Sequence, residues 1–172
     1  MTPMEQLSSW IESQRSPMID LQRALAAVPA LAPESGGQGE KDKCELLTSA
    51  LTALGYTQFE RFDAPDPRVS CGYRPNLVVT IAGKDSSKTI WIMTHLDVVP
   101  PGELAKWNSD PWTVVEANGR VYGRGVEDNQ QGMVASVFAG LSFIKTGIQP
   151  AYTVKLLFVA DEEVGSAMGI QF

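Results

Sequence analysis

The residues best suited to chemistry fall in three clusters. His95, the single histidine among 172 residues, stands two positions before Asp97 in the stretch Met93-Thr94-His95-Leu96-Asp97-Val98-Val99-Pro100. Asp128 lies in the run GRGVEDNQQG, and Asp161, Glu162 and Glu163 directly follow the apolar run YTVKLLFVA. Taken singly, each has an ordinary structural explanation: a satisfied core or surface histidine, an aspartate capping a helix, an acidic triplet at a solvated strand end or in a first helical turn. Taken together they point to a metal centre. Imidazole nitrogen and carboxylate oxygen are donors that zinc and similar divalent ions accept, and clustered carboxylates repel one another unless a cation neutralises them.

Spacing assigns each residue a task. In extended backbone, residues two apart face the same way, so Asp97 can accept a hydrogen bond from the His95 ring nitrogen that does not bind metal, setting tautomer and orientation. Glu162 and Glu163 are neighbours and project differently, so one can ligate while the other takes a proton from an activated water.

Such clusters meet only if strand ends bring them together. Residues 4–28 carry Met4, Leu7, Ile11, Met18, Leu21, Leu25 and Val28 at mostly helical spacing, interrupted near Pro17, which predicts one kinked helix or two short ones. PALAPESGGQG (29–39) reads as a loop, and 40–54 as an amphipathic helix closed by Gly55. Strands are expected over 56–62, 76–82 (NLVVTIA), 89–93 (TIWIM, apolar enough to be buried on both faces) and 152–160. Asn118-Gly119 between two short β-prone pieces predicts a hairpin, and 129–145 reads as a helix stopped by Gly147. Strands alternating with helices predict an α/β fold, three layers (α/β/α) around a mixed, partly parallel sheet. In such sheets ligands gather beyond the carboxyl ends of strands, where all three clusters fall.

Composition removes other classes. Fourteen basic against 20 acidic residues, a net charge of −6, and no basic block argue against a nucleic-acid or anionic-membrane surface. No apolar run is long enough to span a bilayer and no leader pattern opens the chain, so a cytoplasmic location is expected. Cys44 and Cys71 share no metal spacing and are expected as free thiols. Gly123 and Gly125 do not make a dinucleotide loop, because a third glycine is missing and Asp128 would place negative charge beside the pyrophosphate.

THLDVVP, WNSDPW, GRGVEDNQQG and FVADEEVGS occur in that order, and the set resembles the metallohydrolase family of aminoacylases, acetylornithine deacetylase, succinyl-diaminopimelate desuccinylase and glutamate-releasing carboxypeptidases. The resemblance implies a zinc-exopeptidase-like fold and two divalent ions, usually zinc, with cobalt or manganese tolerated by the same donors. It implies hydrolysis of an amide, peptide or N-acyl, in small carboxylate-bearing substrates. His95 would ligate one ion, Asp128 bridge both, Glu163 ligate the other, Glu162 act as general base and Asp97 orient His95. WNSDPW would lie beside the site, where an aromatic cap on the sheet edge is favoured over substrate contact. Gln130 stands where family members often carry lysine.

The same resemblance implies a further acidic ligand and a second, late histidine, neither of which this chain contains. Residues 1–172 therefore read as the N-terminal portion of a truncated catalytic domain. The lid or dimerisation domain, through which a complete parent would form a homodimer, and the C-terminal part are absent. The chain alone is expected to be inactive. The competing reading is a non-catalytic α/β fragment whose incomplete metal site serves binding or interaction.

Overall fold

The computed structural model describes residues 1–172. Helix α1 (Pro3–Glu12) opens with a capping box, in which Thr2 accepts from the Glu5 amide while Glu5 returns a bond to the Thr2 amide. The chain breaks at Ser13–Gln14, and α2 (Arg15–Ala26) follows with Pro17 in its first turn, where a missing N–H costs nothing. Pro17 thus marks the start of the second helix, not a kink. Helix α3 (Lys41–Leu54) ends on Gly55 at φ 113°, a left-handed stop that favours glycine.

Strands β1 (Phe59–Pro65), β2 (Tyr73–Ile81), β3 (Asp85–His95) and β6 (Tyr152–Val159) form one mixed sheet in the order β1-β2-β6-β3. The first two pairings are antiparallel, and β3 runs parallel to β6. A separate hairpin joins β4 (Val115–Ala117) to β5 (Arg120–Tyr122), with Asn118 and Gly119 both at positive φ, as a two-residue turn requires. Helix α4 (Gly132–Thr146) crosses back to β6. The expected α/β class and partly parallel sheet are present.

Alternation along the strands sends Leu77, Val79 and Ile81 of β2 and Val154, Leu156 and Phe158 of β6 to one face. There they pack with Leu47 and Leu51 of α3 and Met133, Val137, Phe138 and Leu141 of α4. Trp10 of α1 stacks on Phe138 with ring centroids 6.4 Å apart. Within residues 1–172 the core helices occupy this one face.

TIWIM departs from expectation. It is the core of an edge strand, and Trp91 and Met93 are 54% and 48% exposed. Their side chains share the face opposite the helices, where the strand's second surface is largely bare. An apolar run reports which residues avoid water, not whether a covering layer lies within the same stretch of chain. Tyr56, expected in the first strand, instead precedes it and is buried, its hydroxyl donating to the carbonyl of Val137 at 2.6 Å.

Candidate metal centre

The parallel neighbours β3 and β6 end side by side, with His95 opposite Val159 in register. This places the imidazole next to the turn that carries Asp161, Glu162 and Glu163. The third component arrives from the segment 126–131 that leads into α4, where Asp128 (φ −106°, ψ 101°) and Asn129 are non-helical. Asp128 therefore does not cap α4. Its side chain is 70% exposed and turned toward the sheet end.

His95 is 5% exposed. Its Nδ1 lies 3.0 Å from the carbonyl oxygen of Asp97, to which it donates, and its Nε2 lies 3.1 Å from Oδ1 of Asp128 and 3.8 Å from Oε2 of Glu162. The Asn129 side-chain oxygen accepts from the His95 amide at 3.3 Å. Burial opposes charge on the ring, but the carboxylates of Asp97 and Asp128 outweigh it and push His95 up to about 9. Glu163 is raised by burial and by the nearby Asp128 carboxylate.

Asp97 contacts the ring less directly than its spacing suggested. Its carboxylate is 3.6 Å from Nδ1 and instead accepts the backbone amides of Glu162 (3.1 Å, Oδ1) and Glu163 (2.9 Å, Oδ2), while its main-chain carbonyl holds the ring. Burial works against the charge of Asp97, yet the hydrogen bonds from His95 and the two amides keep its carboxyl below the usual range. One aspartate thus ties together the ends of β3 and β6.

His95, Asp128 and Glu163 can each offer a ligand atom such that all three atoms lie within 4.8 Å of one another. One imidazole nitrogen and two carboxylate oxygens suit a divalent ion of the zinc, cobalt or manganese type. The Nδ1 contact leaves Nε2 facing the acids, the orientation a ligating histidine needs. Glu162, 46% exposed at its side chain, stands outside this trio.

Other features flank this trio. In the WNSDPW loop Asp110 accepts from the Trp112 amide (3.1 Å) and the Thr113 hydroxyl (2.8 Å), and Trp107 donates to the carbonyl of Pro101 at 2.9 Å. The guanidinium of Arg124 lies over the Trp107 ring at 5.4 Å, so the loop braces the segment leading to Asp128. Gln130 is 2% exposed, and neither its side-chain nitrogen nor oxygen has a partner. Cys44 and Cys71 are free.

Sequence reasoning missed a buried ionic layer beneath the site. Arg74 at the start of β2 makes two hydrogen bonds to Glu40, and its Nη1 lies 3.2 Å from Asp161 and 3.6 Å from Asp66. All four side chains are 0–5% exposed. Lys43, 1% exposed, shares this layer, and burial pushes its ammonium down to about 8 against the opposing pull of Asp97 and Glu40. The available signal was Arg74 beside the apolar run NLVVTIA, a cation where a strand enters the core.

Residues 91–172 match the family model Peptidase family M20/M25/M40. An uncharacterized metallohydrolase of Methanocaldococcus jannaschii is 35% identical over 161 residues, covering 90% of this chain and 38% of its own length. A succinyl-diaminopimelate desuccinylase of Verminephrobacter eiseniae is 33% identical over 159 residues, covering 88% of this chain and 38% of its own length. Among solved structures, human carnosine dipeptidase 1 superposes with a TM-score of 0.79 at 21% identity, covering 98% of this chain and 36% of that one, which establishes the shared fold. Residues 91–172, just under half of the chain, thus resemble peptidase family M20/M25/M40. It spans about 38% of the length of the relatives it matches. No helix is long and apolar enough to cross a membrane.

Proposed function

We propose that this chain carries part of the metal site of a hydrolase that cleaves an amide bond, peptide or N-acyl, in small carboxylate-bearing molecules. The observation that carries the reading is the convergence of His95, Asp128 and Glu163 within 4.8 Å at the carboxyl end of a parallel strand pair. The family match and the desuccinylase and dipeptidase relatives support it. His95, Asp128 and Glu163 would hold the ion, zinc being the first candidate. A divalent ion held there would supply Lewis acidity, polarising a carbonyl and acidifying water.

The chain's own residues account for the rest. Asp97 holds His95 by its carbonyl and the 162–163 backbone by its carboxylate, fixing the relative positions of ring and glutamates. Glu162 is the general base: its carboxylate lies 3.8 Å from Nε2, is 46% exposed, makes no side-chain hydrogen bond, and can take a proton from water and return it to a leaving amine. Three donors complete neither coordination sphere of a two-ion site, so the chain alone binds one ion weakly and is inactive.

Titration of the whole chain with Zn2+ should give one site of micromolar or weaker affinity, lost in His95→Ala and in Glu163→Ala, with no turnover of N-succinyl amino acids or dipeptides. A zinc affinity unchanged by His95→Ala would overturn the site. Chelator-sensitive turnover abolished by Glu162→Gln would overturn the inactivity while supporting the assigned base.

A further inference from the structure

Three successive backbone amides, those of Asp161, Glu162 and Glu163, each donate to a buried carboxylate. Asp161 donates to Oε1 of Glu40 at 3.3 Å, and the next two donate to Asp97. Asp161 sits at φ 66°, a left-handed conformation uncommon for residues with a side chain, though aspartate adopts it more readily than most. Its own carboxylate accepts from the Met168 amide through Oδ2 at 3.0 Å, and its Oδ1 lies 3.2 Å from Nη1 of Arg74, an ion-pair contact in which neither atom has a hydrogen-bond partner. Glu40 in turn is gripped by both Nε and Nη2 of Arg74.

From this geometry we propose that Glu40 and Arg74 are positioning residues for the metal site. They clamp the turn after β6 so that Glu162 and Glu163 face His95. Neither touches the reacting region. They act through Asp161, whose backbone and side chain they hold from opposite directions, while Lys43 supplies a second positive charge to a layer otherwise dominated by Glu40, Asp66, Asp97 and Asp161. A planar guanidinium suits the task because it can bond Glu40 through two donors and still set its charge 3.2 Å from Asp161. A buried fork of this kind contributes little to net stability, since desolvation offsets its Coulombic gain, but it selects one arrangement of the segment it holds. The inference rests on the reading of His95, Asp128 and Glu163 as a cation site.

The test combines two readouts on the whole chain. Residue-resolved amide exchange of the metal-free protein reports the clamp, and Co2+ titration followed by visible absorption reports the ligands. Glu40→Gln leaves one acceptor for three donors, and Arg74→Lys keeps the charge but loses the fork. In whichever variant folds, amides 161–163 should exchange about tenfold faster relative to those of β6, and cobalt affinity should fall about 10- to 100-fold with altered absorption bands. A merely structural role would lower the melting temperature and speed exchange throughout β2 and α3, leaving the cobalt spectrum of the folded protein unchanged, and that result overturns the proposal. So does wild-type exchange at 161–163 in a folded variant. Failure of the wild-type chain to bind cobalt would sink the cation reading instead, and the exchange readout would still decide whether Glu40 and Arg74 hold the turn.

Discussion

A chain with one histidine yields one imidazole signal, so the charge balance around His95 can be read directly. The ring faces Asp128 at 3.1 Å and Asp97 at 3.6 Å, and these carboxylates outweigh burial and push it up from the ordinary 6.5 to about 9. That gap corresponds to about 3 kcal/mol favouring the protonated ring in the folded state. Because the folded value is raised, the stabilisation is fully present below pH 6.5 and is lost as pH rises through about 9. Asp97→Asn should lower the ring's titration by about 1–2 pH units and flatten this dependence correspondingly. Asp128→Asn should act less, since that carboxylate is 70% exposed and screened by solvent. The assay is an NMR titration of the imidazole, paired with urea unfolding at both ends of the window. Saturating Zn2+ should suppress the titration, because the ion competes with the proton for Nε2. A wild-type ring titrating at or below pH 6.5, or one indifferent to Asp97→Asn, would refute the electrostatic account of the site.

Two further outcomes concern the frame. Gly140→Ala would place a methyl 2.6 Å from the Tyr56 hydroxyl and 3.0 Å from Ile81. The helix-propensity gain of about 1 kcal/mol is then outweighed by losing the buried Tyr56–Val137 bond and by crowding, for a net loss of about 1–2 kcal/mol in urea unfolding. In a Tyr56→Phe background the same change should be neutral or stabilising, and equal effects in both backgrounds would contradict the argument. Hydrogen bonds from Arg68 hold the Asp66 carboxyl down to about 2 against burial, so its contribution is present above 3.8 and lost as pH falls through about 2. Acid unfolding should show up to about 2 kcal/mol of loss in that window, less whatever solvent screens at half-exposed Arg68. Asp66→Asn should remove that loss, and an unchanged acid slope would exclude the pair as its source.

Local chemistry determined much of this protein. Gly55, Gly147 and Asn118-Gly119 mark stops and a turn that any backbone obeys, because positive φ is costly for other residues. Period-2 and period-3.6 patterns placed β2, β6, α3 and α4, and the polar residues just beyond two apolar runs pointed to the sheet end where His95, Asp128 and Glu163 meet. What such patterns do not encode is the partner of a buried group. Within residues 1–172 TIWIM lies at the sheet's edge, because strand order depends on pairing between distant segments. The pattern left open one kinked helix or two short ones near Pro17, and the structure has two, broken at Ser13–Gln14. Asp97 spends its carboxylate on two amides more than 60 positions away, and Glu40 and Arg74, 34 apart in sequence, meet under the same turn. Those contacts arise only when distant segments are brought together and every buried donor must find an acceptor, so tertiary structure alone decided how the site is held.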